Sequence, residues 1–239
     1  MDMNLLLTLT QAFFMLGFVA MAAGTFYFFM ERGDLKPEHR ATATYAGVIT
    51  FVAAIMYYVM KDVVNFPGGT IGQAQIDGTM PLRYVDWLIT TPLLLVEFGL
   101  IAALAGAGKG ILTKLIVADI IMIATGYLGE VGAPGSVGNY VFFIISTLAW
   151  LYIVLQVRSV DASKGSPAVQ KAVGQMKWFV IAGWAIYPIG TATQEFFELA
   201  NPGGDFAAGA AIAAMIYVVA DVLNKVGFGM IAVRAAKSA

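Results

Sequence analysis

The chain has 239 residues, 14 Lys and Arg against 15 Asp and Glu, no Cys and one His. Hydrophobic residues make up 59% of it and charged residues 12%, against about 45–50% and about 25% in an ordinary soluble domain; so few charges could not cover a water-facing globule, and the chain reads as a membrane protein. The lack of Cys excludes disulfides, thiolate nucleophiles and Cys-based metal sites, a single His excludes His-rich metal clusters, and near-neutral charge without basic runs excludes a nucleic-acid partner.

A bilayer-crossing helix needs about 20 mostly apolar residues. Seven segments qualify in chain order: 5–30, 43–64, 82–105, 111–129, 137–157, 177–199 and 207–233. The first begins after Met1-Asp2-Met3-Asn4, which lacks the basic segment of a signal peptide, so it is expected to be a retained span. Breaks rich in Gly, Pro and charge separate the spans, among them Glu31-Arg32-Gly33-Asp34, Pro67-Gly68-Gly69, Gly132-Ala133-Pro134-Gly135 and Asn201-Pro202-Gly203-Gly204. Runs this long without alternation predict helices, not barrel strands. The expected architecture is one all-α, seven-helix domain spanning residues 1–239.

Basic residues set the expected topology. Loops 31–42, 106–114 and 158–177 and the C-terminus hold eleven Lys and Arg, whereas the opposite loops hold only Lys61. Cytoplasmic loops collect such residues, which places the N-terminus outside and the C-terminus in the cytoplasm.

Six ionisable residues fall inside the spans: Arg83, Asp86 and Glu97 in the third, Asp119 in the fourth, Asp221 and Lys225 in the seventh. Each costs about 2.5–3.5 kcal/mol near the bilayer centre, so they must pair, neutralise or line a polar interior. A purely structural ion-pair network is one reading, but the spacing favours another. At 100° per residue Arg83, Asp86, Thr90 and Glu97 share one face, with Glu97 about 16 Å further along than Asp86. Asp221 lies one turn from Lys225. Two aspartates can therefore sit on the outer side of one lysine, with a lone carboxyl on its inner side. Lys225 is the only lysine in a membrane core, and a neutral lysine amine can condense with a carbonyl compound as a Schiff base; its other reading is a structural partner for Asp221. Trp87, Trp184 and Tyr187 flank polar or bent positions, where aromatic rings could hold a planar apolar ligand or simply pack. Spacing alone does not say which ligand.

Glu195 and Glu198, three apart near the outer end of the sixth span, share a face. Carboxyls that close can share a proton, which suits a proton-release group; they read equally as solvated interfacial charges.

The run Arg83-Tyr84-Val85-Asp86-Trp87-Leu88-Ile89-Thr90-Thr91-Pro92-Leu93-Leu94-Leu95-Val96-Glu97 closely resembles the third helix of microbial rhodopsins. Asp221-Val222-Leu223-Asn224-Lys225-Val226-Gly227-Phe228-Gly229 resembles their retinal-attachment helix, and Trp184-Ala185-Ile186-Tyr187-Pro188 their sixth. Asp119 to Gly126 and Ser146-Thr147 also resemble the family, so the likeness extends over all seven helices. It implies all-trans retinal on Lys225 as a protonated Schiff base with Asp86 and Asp221 as counter-ions. It further implies Asp86 as proton acceptor, Thr90 as its hydrogen-bonding partner, Glu97 as cytoplasmic donor and Arg83 as outer gate. Trp87, Thr91, Leu94, Met122, Gly126, Phe142, Phe143, Ser146, Trp184, Tyr187 and Pro188 would line the pocket, and Leu94 matches the position where Leu accompanies green absorption. The implied function is a light-driven outward proton pump in the plasma membrane of a prokaryote. The implied assembly is a homo-oligomer (trimer, pentamer or hexamer) in the lipid bilayer.

Three features depart from the proteorhodopsin pattern. The only His, His39, lies in a loop, and the second-helix region where an acceptor-paired His is common reads Ala54-Ile55-Met56-Tyr57. Loop 65–81 is long and Gly-rich, like the bacteriorhodopsin hairpin. Thr191 stands where bacteriorhodopsin has a second sixth-helix Trp. The alternative function is a sensory photoreceptor signalling through a membrane partner, and Glu97 argues against it because sensory relatives often lack that donor. A chloride pump would need a neutral residue at Asp86, and a sodium pump would carry Asn, Asp and Gln where this chain has Asp86, Thr90 and Glu97.

Overall fold

A computed structural model describes residues 3–64, 78–108, 110–132, 135–200 and 207–239, with backbone alone at 3–4, 194–200 and 207. The described residues are nearly all helical, with no strand among them. Helices α1 (Met3–Glu31), α2 (Arg40–Val64), α3 (Met80–Leu104), α4 (Gly110–Glu130) and α5 (Val137–Arg158) are continuous. The sixth is built as α6a (Pro167–Trp178), a π segment (Phe179–Gly183) and α6b (Ile186–Ala200). The seventh is built as α7a (Ala207–Asp221), a π segment (Val222–Gly227) and α7b (Phe228–Lys237). Helices satisfy every backbone donor and acceptor within one segment, which lipid requires of a spanning structure.

Six of the seven helices are long and apolar enough to cross a membrane. The sixth is divided by the turn at Trp184 and Ala185 into shorter stretches, and its first part carries Gln170, Lys171, Gln175 and Lys177. Its start also differs from expectation. Half of the presumed loop 158–177 is helix, since the Ser166 side chain accepts from the Val169 N–H and Pro167 takes the first turn, where no N–H is needed. Loop 65–81 lies outside the described residues except for its last few positions.

The packing inverts that of a soluble protein. Phe26, Leu148 and Leu155 are 73%, 59% and 62% exposed, facing outward, whereas Arg83, Asp86, Glu97, Asp119, Asp221 and Lys225 are all buried. The face of α3 predicted from 3.6-residue spacing is the one turned inward: Arg83, Asp86, Thr90, Leu94 and Glu97 are buried along it. One apolar cluster gathers Leu94, Phe98, Trp184 and Phe228; another gathers Phe14, Met21, Tyr57 and Val218; a third surrounds Trp87, Ile123 and Tyr217. The buried charges lie where these three meet. Close approach of α1 to α2 seats Tyr57 there, since a Cβ at Gly17 would come within 3.0 Å of the Tyr57 ring.

Candidate retinal-binding and proton-transfer site

The centre of the site is Lys225, 1% exposed in the π segment of the seventh helix. Its Nζ donates to Asp86 Oδ2 across the bundle and to Asp221 Oδ2 one turn back, the latter at 2.8 Å. A π turn shifts the register of the residues after it, and such turns concentrate at functional sites. Here it places Lys225 between α3 and its own helix.

The two carboxylates are held differently. Asp221 accepts from Tyr57 OH at 2.9 Å, from Tyr187 OH at 2.6 Å and from Lys225. Asp86 has the lysine alone, and its Oδ1 is buried without a partner. Three donors thus occupy the Asp221 carboxylate, while Asp86 keeps lone pairs free. Thr90 does not bond the Asp86 carboxylate: its hydroxyl donates to the Asp86 main-chain carbonyl at 2.9 Å, the ordinary i−4 bond of a helical threonine. Its nearness to Asp86 holds, but the expected side-chain bond is not made.

Glu97 lies three turns along α3 from Asp86, fully buried, with neither carboxyl oxygen hydrogen-bonded. Arg83 is one turn the other way, its Nη1 donating to Thr79 Oγ1 at 3.0 Å and its Nη2 to Glu130 Oε1 at 3.1 Å. Thr91 donates to Asp119 Oδ2 at 2.8 Å, tying α3 to α4.

Around the lysine, the Trp87 ring packs edge-on against Tyr187 with centroids 5.1 Å apart. Trp184 belongs to the apolar cluster on one side and Trp87 to that on the other, while Met122 and Tyr187 touch both. Leu94 is buried beside Trp184. On the α4–α5 wall Ser146 donates to the Met122 carbonyl at 2.8 Å. A Cβ at Gly126 would crowd Ser146 Oγ at 3.2 Å and Tyr84 OH at 3.3 Å, so glycine lets α4 pack close to both side chains. Phe142 and Phe143 are half-buried on α5, and Pro188 lies in the first turn of α6b. The backbone of α6b carries Glu195 and Glu198 in its last turns, but their side chains lie outside the described residues.

Sequence spacing missed three participants. Tyr57 was visible only as part of a stretch lacking His. Asn224 donates to the Gly183 carbonyl at 3.0 Å, joining the two π segments. Glu130 falls just beyond the expected fourth span, 111–129, although it follows Asp119 by the same eleven residues that separate Asp86 from Glu97.

A seven-helix bundle with a buried lysine paired to two aspartates has the architecture of retinal-binding membrane proteins. The chain belongs to the bacteriorhodopsin-like protein family, whose model matches residues 8–239. The green-light absorbing proteorhodopsin of Gamma-proteobacterium EBAC31A08 is 35% identical over 227 residues, 93% of this chain and 84% of that protein. The blue-light absorbing proteorhodopsin of Gamma-proteobacterium Hot 75m4 is 33% identical, over 88% of this chain and 79% of that one. Among solved structures, Exiguobacterium sibiricum rhodopsin superposes with a TM-score of 0.87 at 41% identity, covering 99% of both chains. The chain is thus a multi-span membrane protein and a microbial rhodopsin, from a family that binds retinal.

Proposed function

We propose that this rhodopsin is a light-driven outward proton pump in which one bundle, residues 1–239, forms the whole retinal-binding unit in a prokaryotic plasma membrane. The observation that supports the reading is that Lys225 Nζ donates to a half-satisfied Asp86, which shares the buried face of α3 with Glu97, three turns along and without a hydrogen bond.

The residues present fit retinal. Lys225 offers a buried primary amine with carboxylates beside it, and Trp87, Trp184, Met122 and Tyr187 supply apolar walls. Bound at Lys225 Nζ as a protonated Schiff base, all-trans retinal supplies visible absorption and a light-driven isomerisation.

The chain's own groups then carry the proton. Asp86 Oδ1, free of hydrogen bonds, accepts the proton held at Lys225 Nζ, while Asp221, its oxygens already taken up by two tyrosine hydroxyls, is the less available acceptor. Charge asymmetry of the loops puts Asp86 on the outer side of Nζ, so the transfer is outward. Glu97 has no partner to offset the cost of a buried carboxylate, several kcal/mol at the least, and therefore rests as the neutral acid. It returns a proton to Nζ from the cytoplasmic side. The packed apolar cluster of Leu94, Leu95 and Phe98 around it keeps water out until that step.

The test is a light-driven pH change in liposomes carrying the retinal-loaded protein. A pump gives a sustained change that a protonophore abolishes and that Asp86→Asn lacks; a sensory photoreceptor gives none.

A further inference from the structure

Glu130 has no part in the pathway above, yet it is the carboxylate that Arg83 grips. The two side chains are 6% and 8% exposed and meet at 3.1 Å. The guanidinium is further fixed by Thr79 and lies 5.0 Å over the Tyr217 ring, while Tyr84 sets its hydroxyl against the Glu130 carboxylate. Glu130 ends α4 at the same end of the bundle where α3 begins, so Asp86, Arg83 and Glu130 form a series running outward. A buried ion pair is poor evidence of a structural brace, because well-packed apolar residues often do as well or better. Asp86 Oδ1, Arg83 Nε and Glu130 Oε2 are all buried without hydrogen-bond partners. A buried polar atom without a partner is costly, and the three mark a polar region joining the two carboxylates through Arg83.

We propose that Glu130 is the exit carboxyl of the outer half-channel, taking the proton from Asp86 and delivering it to the exterior water late in the cycle. The proposal rests on the pump reading and specifies its last step. The O–H bond on Asp86 breaks and one on Glu130 Oε2 forms; Glu130 then loses that proton to bulk water, and both groups end as carboxylates. Arg83 stays protonated and swings its attraction from one carboxylate to the other. A Glu130 already ion-paired to Arg83 at rest holds no proton to give early. Release therefore follows the deprotonation of Asp86, and uptake through Glu97 precedes it. A proton-sharing pair such as Glu195 and Glu198 would instead discharge first.

The experiment follows flash-induced proton release with a pH-sensitive dye and the carboxyl C=O region by time-resolved infrared spectroscopy, in the retinal-loaded protein. In the wild type, uptake should precede release, and a transient protonated-carboxyl band should follow the decay of the Asp86 band. Glu130→Gln should slow release and Asp86 recovery about a hundredfold, the low end for a positioned proton-transfer group, and abolish that band. Glu130→Asp should keep the band, shifted, and recover most of the rate. Release before uptake in the wild type, or unchanged release with the band intact in Glu130→Gln, overturns the proposal. A wild type that moves no protons in light overturns the pump reading itself and takes this step with it.

Discussion

The charges of Lys225, Asp86 and Asp221 are mutually dependent, and this makes their substitutions informative. Lys225→Ala should give a protein that folds yet stays colourless with retinal; a normal visible band in it would remove the attachment site. Asp86→Asn keeps the shape but takes away the carboxylate with the free oxygen, so the retinal band should shift to the red and transport should stop. Acidifying the wild type until Asp86 is protonated should give the same red shift. Leu94 is buried among apolar groups, so the wild type should absorb in the green and Leu94→Gln, which brings an amide dipole to the pocket, should move the band to the blue. At this scale spacing along single helices revealed a good deal: Asp86 to Glu97 and Asp221 to Lys225 are relations within one helix, and periodicity reports those. It could not reveal that Tyr57 and Tyr187 both serve Asp221, because Tyr57 lies 164 residues away and nothing in its neighbours sets it apart. Thr90 shows the opposite limit. Its place one turn from Asp86 is given by helix geometry, but a threonine there can bond the backbone as readily as the carboxylate, and it does so.

Helices six and seven both contain a π segment, and the two face each other. A π turn frees carbonyls from the i−4 ladder, and two side chains from other helices take them up. Trp150 Nε1 donates to Val180 O at 3.2 Å, and Asn224 Nδ2 donates to Gly183 O at 3.0 Å. Asn224 precedes Lys225, so the seam between the π segments is continuous with the proposed retinal attachment point. Trp150→Phe removes one donor and should cost about 0.5–1.5 kcal/mol, read as a fall of about 1–6 °C in melting temperature. Gly183→Ala is more severe, because the added Cβ would run into the Asn224 side chain; overpacking of this kind costs about 1–3 kcal/mol and should also shift the visible band through Lys225. An unchanged band and melting temperature in Gly183→Ala would show that the seam is loose. None of this was legible beforehand, since hydropathy cannot distinguish a π turn from an α turn. The same blindness explains the sixth span, whose polar first half read as loop until Ser166 was seen to cap it.

For the whole molecule, the seven spans, their order and the inward face of α3 followed from hydropathy and period alone, because lipid leaves the chain so few options. The proposed direction of transport is a property of the whole as well. It combines the loop charges, which orient the bundle, with the order Arg83, Asp86, Glu97 along α3. Glu97→Gln should slow the return of the proton to Lys225 Nζ while leaving the outward step intact, and azide, a small diffusible acid, should restore the rate. The most direct measurement is the external pH of retinal-supplied cells expressing the protein, recorded as light is switched on. The medium should acidify, and a protonophore should abolish the signal. Alkalinisation would contradict the account.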